Sequence, residues 1–377
     1  MIVVTPKDEI PKSINKSIFL AGPTPREKNV DEKYLWRKEV IKILEKKGYD
    51  GTVFSPDFHA KSYEEQVEWE NKCLNIADCI LFWIPRDMEV LPGFTTNIEY
   101  GEWMKSGKIV LGFPETAKKV RYLKEKALVH KVSVSLTLEE TIGEALKLVG
   151  DGSLRNDGEV FIPLYIWKHV AFQQWYQAHK SVGNRLDGAK IEWSFPHGKK
   201  PFLFIIHANV FIAAENRNKI NEIVIYRSDI STILAYHKDK IVLTKEFRSP
   251  VSNEECFVYE LPGGSSFKAG KTSLELAADE FAEETSLRIE NYSRFIYHQS
   301  RQLLSTLSAH KAHLFSIELS EEELKHLESL KGKTFGVEED SEKTYVEIKT
   351  VREILKDELL DWSMLGMILS ILRGEEE

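Results

Sequence analysis

Three carboxylates follow a glycine-rich loop in the C-terminal half of the sequence. Glu280, Glu283 and Glu284 are spaced at i, i+3 and i+4, so a helix would place them on one side. Like charges at that spacing repel one another unless a positive group lies among them. Mg²⁺ prefers oxygen ligands and leaves positions open for phosphates, and Mn²⁺ accepts similar ligands. The spacing therefore indicates a divalent-cation site, although a solvated acidic helix face would show the same spacing.

The surrounding residues favour the cation site. Thr272 or Ser273 can cap a helix that begins there. An apolar stripe follows at i, i+3, i+4 and i+7, formed by Leu274, Ala277, Ala278 and Phe281. The Leu-Pro-Gly-Gly sequence at 261–264 allows the backbone to approach a phosphate or a metal closely. We therefore expect the three carboxylates at the rim of an apolar core.

This segment resembles the Nudix box, whose core is Arg-Glu-apolar-X-Glu-Glu-X-Gly-apolar. The matching pieces are 261–264, the Ala277–Ala278 pair and Glu-Phe-Ala-Glu-Glu at 280–284. The flanks at 241–250 and 338–342 resemble the branch that cleaves ADP-ribose and nucleoside-diphosphate sugars. The resemblance implies that Mg²⁺ is held by Glu280, Glu283, Glu284 and the Gly263 carbonyl, and that Glu283 and Glu284 are catalytic.

The same resemblance assigns roles on either side of the box. Glu342, or its neighbour Glu338 or Glu339, would polarise the attacking water, with an ordinary acidic turn as the alternative. Independently of the resemblance, Arg248 and Arg301 are candidates to contact the phosphates or a terminal ribose of the substrate, with surface salt bridges as the alternative.

The box departs from the family pattern at three positions. Lys271 stands where the family has Glu, Asp279 where it has Arg, and Ser286 where it has Gly. Because the first two changes reverse both charges together, we expect Lys271 and Asp279 to form a charge-swapped ion pair that joins the loop to the helix. A catalytically inactive box is the alternative.

The first 150 residues alternate strand and helix patterns, which is typical of an α/β fold. Strands are predicted at 17–21, 52–55, 79–84 and 108–112, and helices at 31–47, 63–77, 97–105 and 136–148. We expect a Rossmann- or flavodoxin-like parallel sheet in this domain.

A polar, glycine-containing stretch at 151–158 predicts a boundary between domains 1–150 and 151–377. The second domain is predicted to have strands at 160–167, 202–214, 222–235, 240–246, 309–319 and 344–348, and a last helix at 361–372. This order predicts an α+β domain, in agreement with a Nudix sandwich.

Several polar or small residues lie at the ends of the predicted N-terminal strands, where α/β folds build their sites. Gly22 and Pro23 form a turn that presents free amides, and Arg26 can clamp a phosphate or a carboxylate. Asp78 and Trp83 bound another strand. Each has a structural alternative, because Gly-Pro turns and buried Trp residues are common.

A loop at 93–101 then leads into a helix and carries Asn97 and Glu99, the latter expected in the first helical turn. With Leu-Ala-Gly-Pro at 20–23 and Thr-Asn-Ile-Glu-Tyr-Gly at 96–101, the region of about 16–125 resembles the nucleoside 2-deoxyribosyltransferase-like family, including its nucleotide N-glycosidases. The resemblance implies that Glu99 attacks the anomeric carbon and that Asp78 assists proton transfer at the base. Gly22, Pro23, Arg26, Trp83 and Asn97 are the expected substrate contacts. Trp83, Trp69 or Phe94 can stack on the base, or belong to the core.

Composition limits the partners of the chain. A length of 377 residues suggests two domains, and a net charge of −8 argues against a scaffold for duplex nucleic acid. No apolar run approaches about 18 residues, and the N-terminus has no signal-peptide pattern. Three scattered cysteines fit buried thiols in a reducing cytoplasm. We expect a cytoplasmic homo-oligomer that acts on a small nucleotide or nucleotide sugar, without contact to a membrane.

Together these patterns predict a bifunctional enzyme in which a Mg²⁺-dependent pyrophosphatase is joined to a domain that cleaves or exchanges an N-glycosidic bond. A nucleotide-binding sensor with degenerate catalytic sites is one alternative. In another, the N-terminal domain serves specificity or oligomerisation only.

Overall fold

The computed structural model describes residues 1–25, 31–57, 62–195, 201–265, 270–336 and 343–372. A parallel sheet forms the centre of the first part of the chain. The strands here are β1 (Ile2–Val4), β2 (Ser13–Ile14), β3 (Ser17–Ala21), β4 (Thr52–Phe54), β5 (Cys79–Trp83), β6 (Ile109–Gly112), β7 (Val134–Ser135) and β8 (Arg155–Asn156). Six of them pair in the order β1-β4-β3-β5-β6-β7, and each pair is parallel. The predicted parallel sheet is confirmed. β2 and β8 form a separate antiparallel pair.

Helices cover both faces of this sheet. They are α1 (Trp36–Lys46), α2 (Tyr63–Ile76), α3 (Phe94–Trp103), α4 (Arg121–Val129) and α5 (Leu138–Val149). The buried residues of α1 and α5 pack with Ile18 and Leu20 of β3, whereas those of α2, α3 and α4 pack with Phe19 and Ala21. Successive side chains of a strand point to opposite faces, so β3 is buried on both sides, which explains its unbroken apolar sequence.

The strand order reverses between β3 and β5. After β3 the chain passes through α1 to β4 on one side, and then through α2 to β5 on the other side. Loops that leave two neighbouring parallel strands in opposite directions open a crevice at the carboxyl ends of those strands. The end of β3 at Ala21 and the end of β5 at Trp83 define that position here.

The segment after α5 differs from the prediction. Instead of a strand at 160–167, the chain forms a 3-10 helix (Asp157–Phe161) and α6 (Leu164–Trp167). Pro163 accounts for the difference, because proline cannot donate to a sheet and instead precedes the first turn of α6. Then follow α7 (Val170–Ser181) and a sheet in the order β11-β10-β9, with β9 (Arg185–Phe195), β10 (Leu203–Ile212) and β11 (Arg217–Arg227).

The two compact units of the chain are Met1–Tyr226 and Arg227–Glu377, so the division does not fall at the predicted 150/151 boundary. The polar stretch 151–158 lies inside the first unit. Arg155 within it is fully buried and forms an ion pair with Asp78 at 2.6 Å. A charged residue can be buried in this way only with its partner, and this pair attaches the stretch to the sheet.

The second unit is built on an eight-stranded mixed sheet. Its strands are β12 (Ile230–His237), β13 (Lys240–Phe247), β14 (Phe257–Glu260), β15 (Gly263–Gly264), β16 (Ile296–Gln302), β17 (Lys311–Glu318), β18 (Thr334–Phe335) and β19 (Thr344–Thr350). The main order is β16-β17-β12-β13-β19-β18; β14 pairs with β13 and β15 with β12. β12 and β17 are parallel, and the other pairs among the described strands of this sheet are antiparallel. The strand predicted at 222–235 is therefore two strands, β11 and β12, in different sheets.

Helices lie on both faces of this mixed sheet. They are α8 (Ser273–Thr285), α9 (Glu321–Glu328), α10 (Val351–Lys356) and α11 (Trp362–Leu372). Ile233 and Ala235 of β12 pack in the cluster that contains α8, whereas Leu234 packs in the cluster that contains α11. Because alternate residues of β12 belong to different clusters, the sheet lies between α8 and α11.

Two further expectations concern membranes and thiols. Over the described ranges, no helix is long and apolar enough to cross a membrane. Cys73 and Cys79 are buried free thiols, as predicted, whereas Cys256 is only half-buried.

Candidate functional site

A cleft of about 250 Å³ opens at the carboxyl ends of β3 and β5, where the strand order reverses. Its walls come from the loops after β3 and β4, from α1 and α2, and from the start of α3. The residues that line it are Phe19, Ala21, Gly22, Pro23, Thr24, Arg37, Pro56, Glu70, Pro92, Gly93, Phe94, Thr95 and Glu99. Of the predicted site residues, Gly22, Pro23 and Glu99 thus meet in one cleft.

Arg37 organises one wall of the cleft. Its guanidinium is buried and donates to the carbonyl oxygens of Leu20 and Gly22, at 3.0 and 2.6 Å. It also donates to Thr24 and forms an ion pair with Asp57 at 3.1 Å. These bonds hold the turn after β3 and keep a positive charge in the cleft. Sequence reasoning missed Arg37, because nothing in its helical pattern distinguishes it from a surface arginine.

Gly22 makes a close approach that other residues would prevent. It has φ +153°, and an added Cβ would lie 2.2 Å from the carbonyl oxygen of Trp83 and 2.7 Å from the Trp36 ring. The indole N–H of Trp36 donates to the carbonyl of Pro23 at 3.0 Å. A glycine is therefore required where the ends of β3 and β5 come together.

Arg86 fixes the start of α3. The helix begins after Gly93, which has φ 60°. Arg86 is buried and donates to the side-chain oxygen of Asn97 at 2.5 Å and to the carbonyl of Gly93 at 3.4 Å. Asn97 thus supports the helix and is not among the residues that line the cleft, so its substrate contact stays a prediction. Because α3 begins at Phe94, Glu99 lies in the second helical turn and not in the first.

Two carboxyls face the same cleft. The pKa of Glu99 is raised to about 7, mainly by burial and next by the nearby charge of Glu70, while the charge of Arg37 opposes the shift. Glu70 extends from α2 and accepts a hydrogen bond from Gln66 at 2.6 Å. A carboxyl that titrates near neutral pH beside a second carboxyl can perform acid–base or nucleophilic chemistry. The sequence showed Glu70 only as one of several acids on α2.

Asp78 lies elsewhere, and the structure does not bring it together with Glu99 in the cleft. It precedes β5, so it lies at the amino edge of the parallel sheet, whereas the cleft is at the carboxyl edge. Its fully buried carboxylate accepts bonds from both terminal nitrogens of Arg155, from Ser17 and from the amide of Leu164. Every oxygen of Asp78 is therefore engaged in holding the fold together.

Of the three aromatic residues predicted to contact the substrate, two pack in the core and one lines the cleft. Trp83 is buried and its ring packs over Gly112, so it belongs to the core and is not among the residues that line the cleft. Trp69 packs against Phe19, with ring centroids 6.2 Å apart, and also contacts Phe54. Phe94 lines the cleft and is 62% exposed. Arg26 lies outside the described residues.

Residues 15–117 match the nucleoside 2-deoxyribosyltransferase-like family. The matched segment runs from the start of β3 to just beyond β6 and contains every residue that lines the cleft. It makes up slightly more than a quarter of the chain. No curated protein matches the chain. The match confirms the predicted resemblance of the N-terminal domain, and the enzymatic character it suggests fits the two carboxyls in the cleft.

In the second unit, α8 begins as predicted. Thr272 caps it in a reciprocal arrangement with Glu275, in which each side chain accepts from the backbone amide of the other. The apolar stripe is also confirmed, with Ala277, Ala278 and Phe281 buried and Leu274 packed beside them.

Lys271 and Asp279 form the expected ion pair. The ammonium of Lys271 donates directly to a carboxylate oxygen of Asp279. Opposite charges at these two positions thus join the end of the loop to the middle of α8, with both signs reversed from the Nudix pattern. The charge-swap prediction is confirmed.

The three glutamates of α8 differ in their surroundings. The buried Glu284 accepts from the amide of Gly263 at 3.0 Å. A carboxylate oxygen of Glu280 lies 2.7 Å from where a Cβ on Gly264 would be, so this carboxyl approaches the loop closely. Glu283 is exposed. Over the part of the chain that the structure describes, no three acidic, His or Cys side chains are gathered closely enough to hold a metal ion.

Ser286 ends α8 in a left-handed conformation, with φ 57°. That region favours glycine, because a Cβ is crowded there. The Nudix pattern has glycine at this position, so the backbone keeps the conformation while the residue differs.

Of the remaining predicted contacts of this unit, one follows β13, one lies on β16 and the others lie outside the described residues. Arg248 forms ion pairs with Glu246 at 2.8 Å and with Glu260 at 3.4 Å. Arg227, which the sequence did not indicate, donates to Ser265 at 3.0 Å; burial and the charge of Arg248 lower its pKa. Arg301 is exposed on β16. The acidic residues Glu338, Glu339 and Glu342 lie outside the described residues.

Proposed function

We propose that the N-terminal cleft cleaves or exchanges the N-glycosidic bond of a 2′-deoxynucleoside or of its nucleotide. The observation that carries this proposal is the pairing of Glu99 with Glu70 in a cleft formed entirely by the segment that matches the deoxyribosyltransferase-like family. Breaking such a bond develops positive charge at the anomeric carbon, which a carboxylate can capture.

The proposed reaction has two steps. The Glu99 carboxylate attacks the anomeric carbon as the carbon–nitrogen bond breaks, and the leaving base takes a proton from the Glu70 carboxyl. The product is a glycosyl ester of Glu99. In the second step water or another base attacks the same carbon, returns its proton to Glu70 and releases Glu99, so the configuration is retained.

Other residues of the cleft would orient the substrate. Phe94 offers an exposed ring for stacking on the base. Arg37 keeps a positive charge beside Glu99, which favours the ionised carboxylate that must attack.

The test is the release of free base from a panel of 2′-deoxynucleosides and their 5′-monophosphates. We expect wild-type protein to release base and Glu99→Gln to be slower by roughly 1,000-fold or more. Glu125→Gln, which alters an exposed carboxyl on α4, should behave as wild type. Addition of a second free base distinguishes transfer from hydrolysis, because a new nucleoside then appears.

We further propose that the second unit hydrolyses the pyrophosphate of a nucleoside diphosphate linked to another group. Three observations favour this second activity: the Lys271–Asp279 pair, the contact of Glu284 with Gly263, and the left-handed Ser286. The first places opposite charges, in reversed order, at two positions where the Nudix pattern is charged. The second joins two residues that match the pattern. In the third, a serine adopts a conformation that favours the glycine of the pattern.

Glu280, Glu283 and Glu284 would hold Mg²⁺ in this proposal. The donor set consists of carboxylate oxygens, which suit a hard cation, although the three groups as placed do not form a cluster. Bound Mg²⁺ would neutralise phosphate charge and activate water. Arg227 and Arg248 lie beside the same loop, where their guanidinium groups can bind phosphate oxygens.

Incubation with ADP-ribose and Mg²⁺ tests this activity through the release of AMP. Glu283→Gln should abolish the release, whereas Glu290→Gln, beyond the end of α8, should not. Binding of ADP-ribose without metal-dependent products would instead favour a nucleotide sensor.

A further inference from the structure

A second cavity, of about 310 Å³, lies at the opposite edge of the parallel sheet from the cleft. Asn75 at the end of α2 and Lys108 just before β6 contribute to it, and both positions belong to the amino edge of the sheet. Helix α3 connects the two regions, because Glu99 faces the cleft and Trp103 at the end of the same helix lines the second cavity.

Aromatic rings form much of the wall of this cavity. They belong to Trp103, Phe161, Tyr165 and Trp193, which come from α3, the 3-10 helix, α6 and β9. Three of the four lie beyond residue 117, outside the segment that matches the deoxyribosyltransferase-like family. The added segment thus builds a cavity against the family-like sheet.

The wall is held in place by buried polar contacts. The Lys108 ammonium donates to two carbonyls at the end of α2, at 2.7 and 2.9 Å, and lies 4.5 Å from the centre of the Trp103 ring. The hydroxyl of Tyr165 donates to the carbonyl of Ser106 at 3.0 Å. Two of the aromatic walls are therefore fixed before any ligand arrives.

Charged groups surround the aromatic walls. Lys105 and Lys190 line the cavity and are exposed, while Glu102 and Glu192 lie beside them, and Lys190 pairs with Glu192 at 3.1 Å. Lys108 is the third lysine of the lining, and burial lowers its pKa to about 7, so the exposed Lys105 and Lys190 are the main positive groups. The cavity thus suits a planar apolar ring that carries polar or singly anionic substituents.

We propose that this cavity binds a nucleobase-containing ligand, at a site distinct from the cleft. Nucleobases stack on aromatic side chains irrespective of sequence, because each base presents a π face. The volume is in the range of small-molecule sites, and the exposed Lys105 and Lys190 can receive a phosphate at the mouth.

The indole N–H of Trp103 offers a direct reporter. It is buried and has no hydrogen-bond partner among the described residues, so its NMR resonance depends on the surrounding rings. The resonance is assigned by its loss in Trp103→Phe. The full-length protein is then titrated with adenosine, AMP and, as a probe without a base, ribose 5-phosphate.

We expect saturable shifts of this resonance with adenosine and AMP, and none with ribose 5-phosphate. Trp193→Ala, which removes a half-exposed ring from an edge strand, should weaken adenosine binding roughly tenfold. Trp362→Ala, an exposed tryptophan of α11, is the matched control and should leave the titration unchanged. Lys105→Ala should weaken AMP more than adenosine.

Phe94→Ala separates this cavity from the cleft. The proposal expects the Trp103 titration to survive this change, whether or not the cleft is catalytically active. If the shift instead disappears in Phe94→Ala and persists in Trp193→Ala, the resonance reports the cleft and the second site is refuted. Absence of any saturable shift at millimolar adenosine refutes it as well.

Discussion

Glu70 and Glu99 line the same cleft from two different helices, and the charge of Glu70 contributes to raising the pKa of Glu99 to about 7. Burial is the larger cause, and Arg37 works against both. The result is a carboxyl poised to change its charge near neutral pH, beside a second carboxyl that can exchange a proton with the substrate.

The pH dependence of base release distinguishes the two roles open to Glu99. A carboxyl with a pKa of about 7 is protonated below that pH and ionised above it. If Glu99 is the nucleophile, kcat/KM rises with pH up to about 7, because only the carboxylate attacks. If it were the proton donor, kcat/KM would fall as pH rises through 7. A profile of kcat/KM from pH 5 to pH 9 decides between them.

Glu70→Gln should act on Glu99 as well as on proton transfer. Removal of the like charge lowers the pKa of Glu99, so the acidic limb of the profile moves to lower pH. Loss of the proposed acid lowers kcat by about 100-fold or more. Glu68→Gln changes an exposed carboxyl two residues away and serves as control. An unmoved limb in Glu70→Gln would show that the two carboxyls are not coupled.

Asp78→Asn should destabilise the first unit without entering the chemistry. It leaves the fully buried Arg155 without its counter-charge, which costs about 3–5 kcal/mol in the free energy of unfolding. Asp187→Asn disrupts the more exposed pair with Arg185 and should cost less than about 1 kcal/mol. Urea unfolding measures both. A stable Asp78→Asn protein that has lost base release would restore the catalytic role that the sequence suggested.

Ser286→Gly should stabilise the second unit. A side chain in the left-handed region is crowded, so glycine is expected to raise the free energy of unfolding by roughly 0.5–1 kcal/mol. Ser329 ends α9 with φ −70°, where glycine offers no relief and only adds freedom to the unfolded chain. Ser329→Gly should therefore be neutral or destabilising in the same unfolding experiment.

The Lys271–Asp279 pair allows a double-mutant cycle. Lys271→Glu and Asp279→Arg each place like charges in contact, whereas the double variant restores opposite charges in the order of the Nudix pattern. We expect each single variant to lower the free energy of unfolding and the double variant to recover most of it, with a coupling of about 1 kcal/mol at low salt. Additive losses would mean that the two side chains do not interact.

Much of the fold could be predicted from local sequence patterns. The apolar sequence of β3, the Thr272 cap and the stripe that includes Phe281 each depend on neighbours within one or two helical turns or along one strand. For the same reason the reversed charges of Lys271 and Asp279 predicted their contact, because a loop and the helix that follows it stay close together.

The cleft could not be predicted from local sequence patterns, because the strand order of the sheet brings its residues together. Asp78 and Glu70 both precede β5 in the sequence. Asp78 directly precedes the strand and so lies at the amino edge of the sheet. Glu70 is on α2, and its side chain reaches the cleft at the carboxyl edge. Arg155 lies in a polar stretch typical of a linker, yet its buried partner is distant in sequence. Sequence patterns contain no such information, so they show neither the burial of Arg155 nor the separation of Asp78 from the cleft.

The most direct test of the central claim is to look for a glycosyl ester on Glu99. The protein is incubated with a 2′-deoxynucleoside, quenched in acid, and examined by intact-mass and peptide mass spectrometry. We predict a mass increase of one deoxyribosyl group on the peptide that contains Glu99, absent in Glu99→Gln and retained in Glu125→Gln. Base release without any adduct on that peptide, or with undiminished rate in Glu99→Gln, would contradict the assignment of Glu99 as the nucleophile.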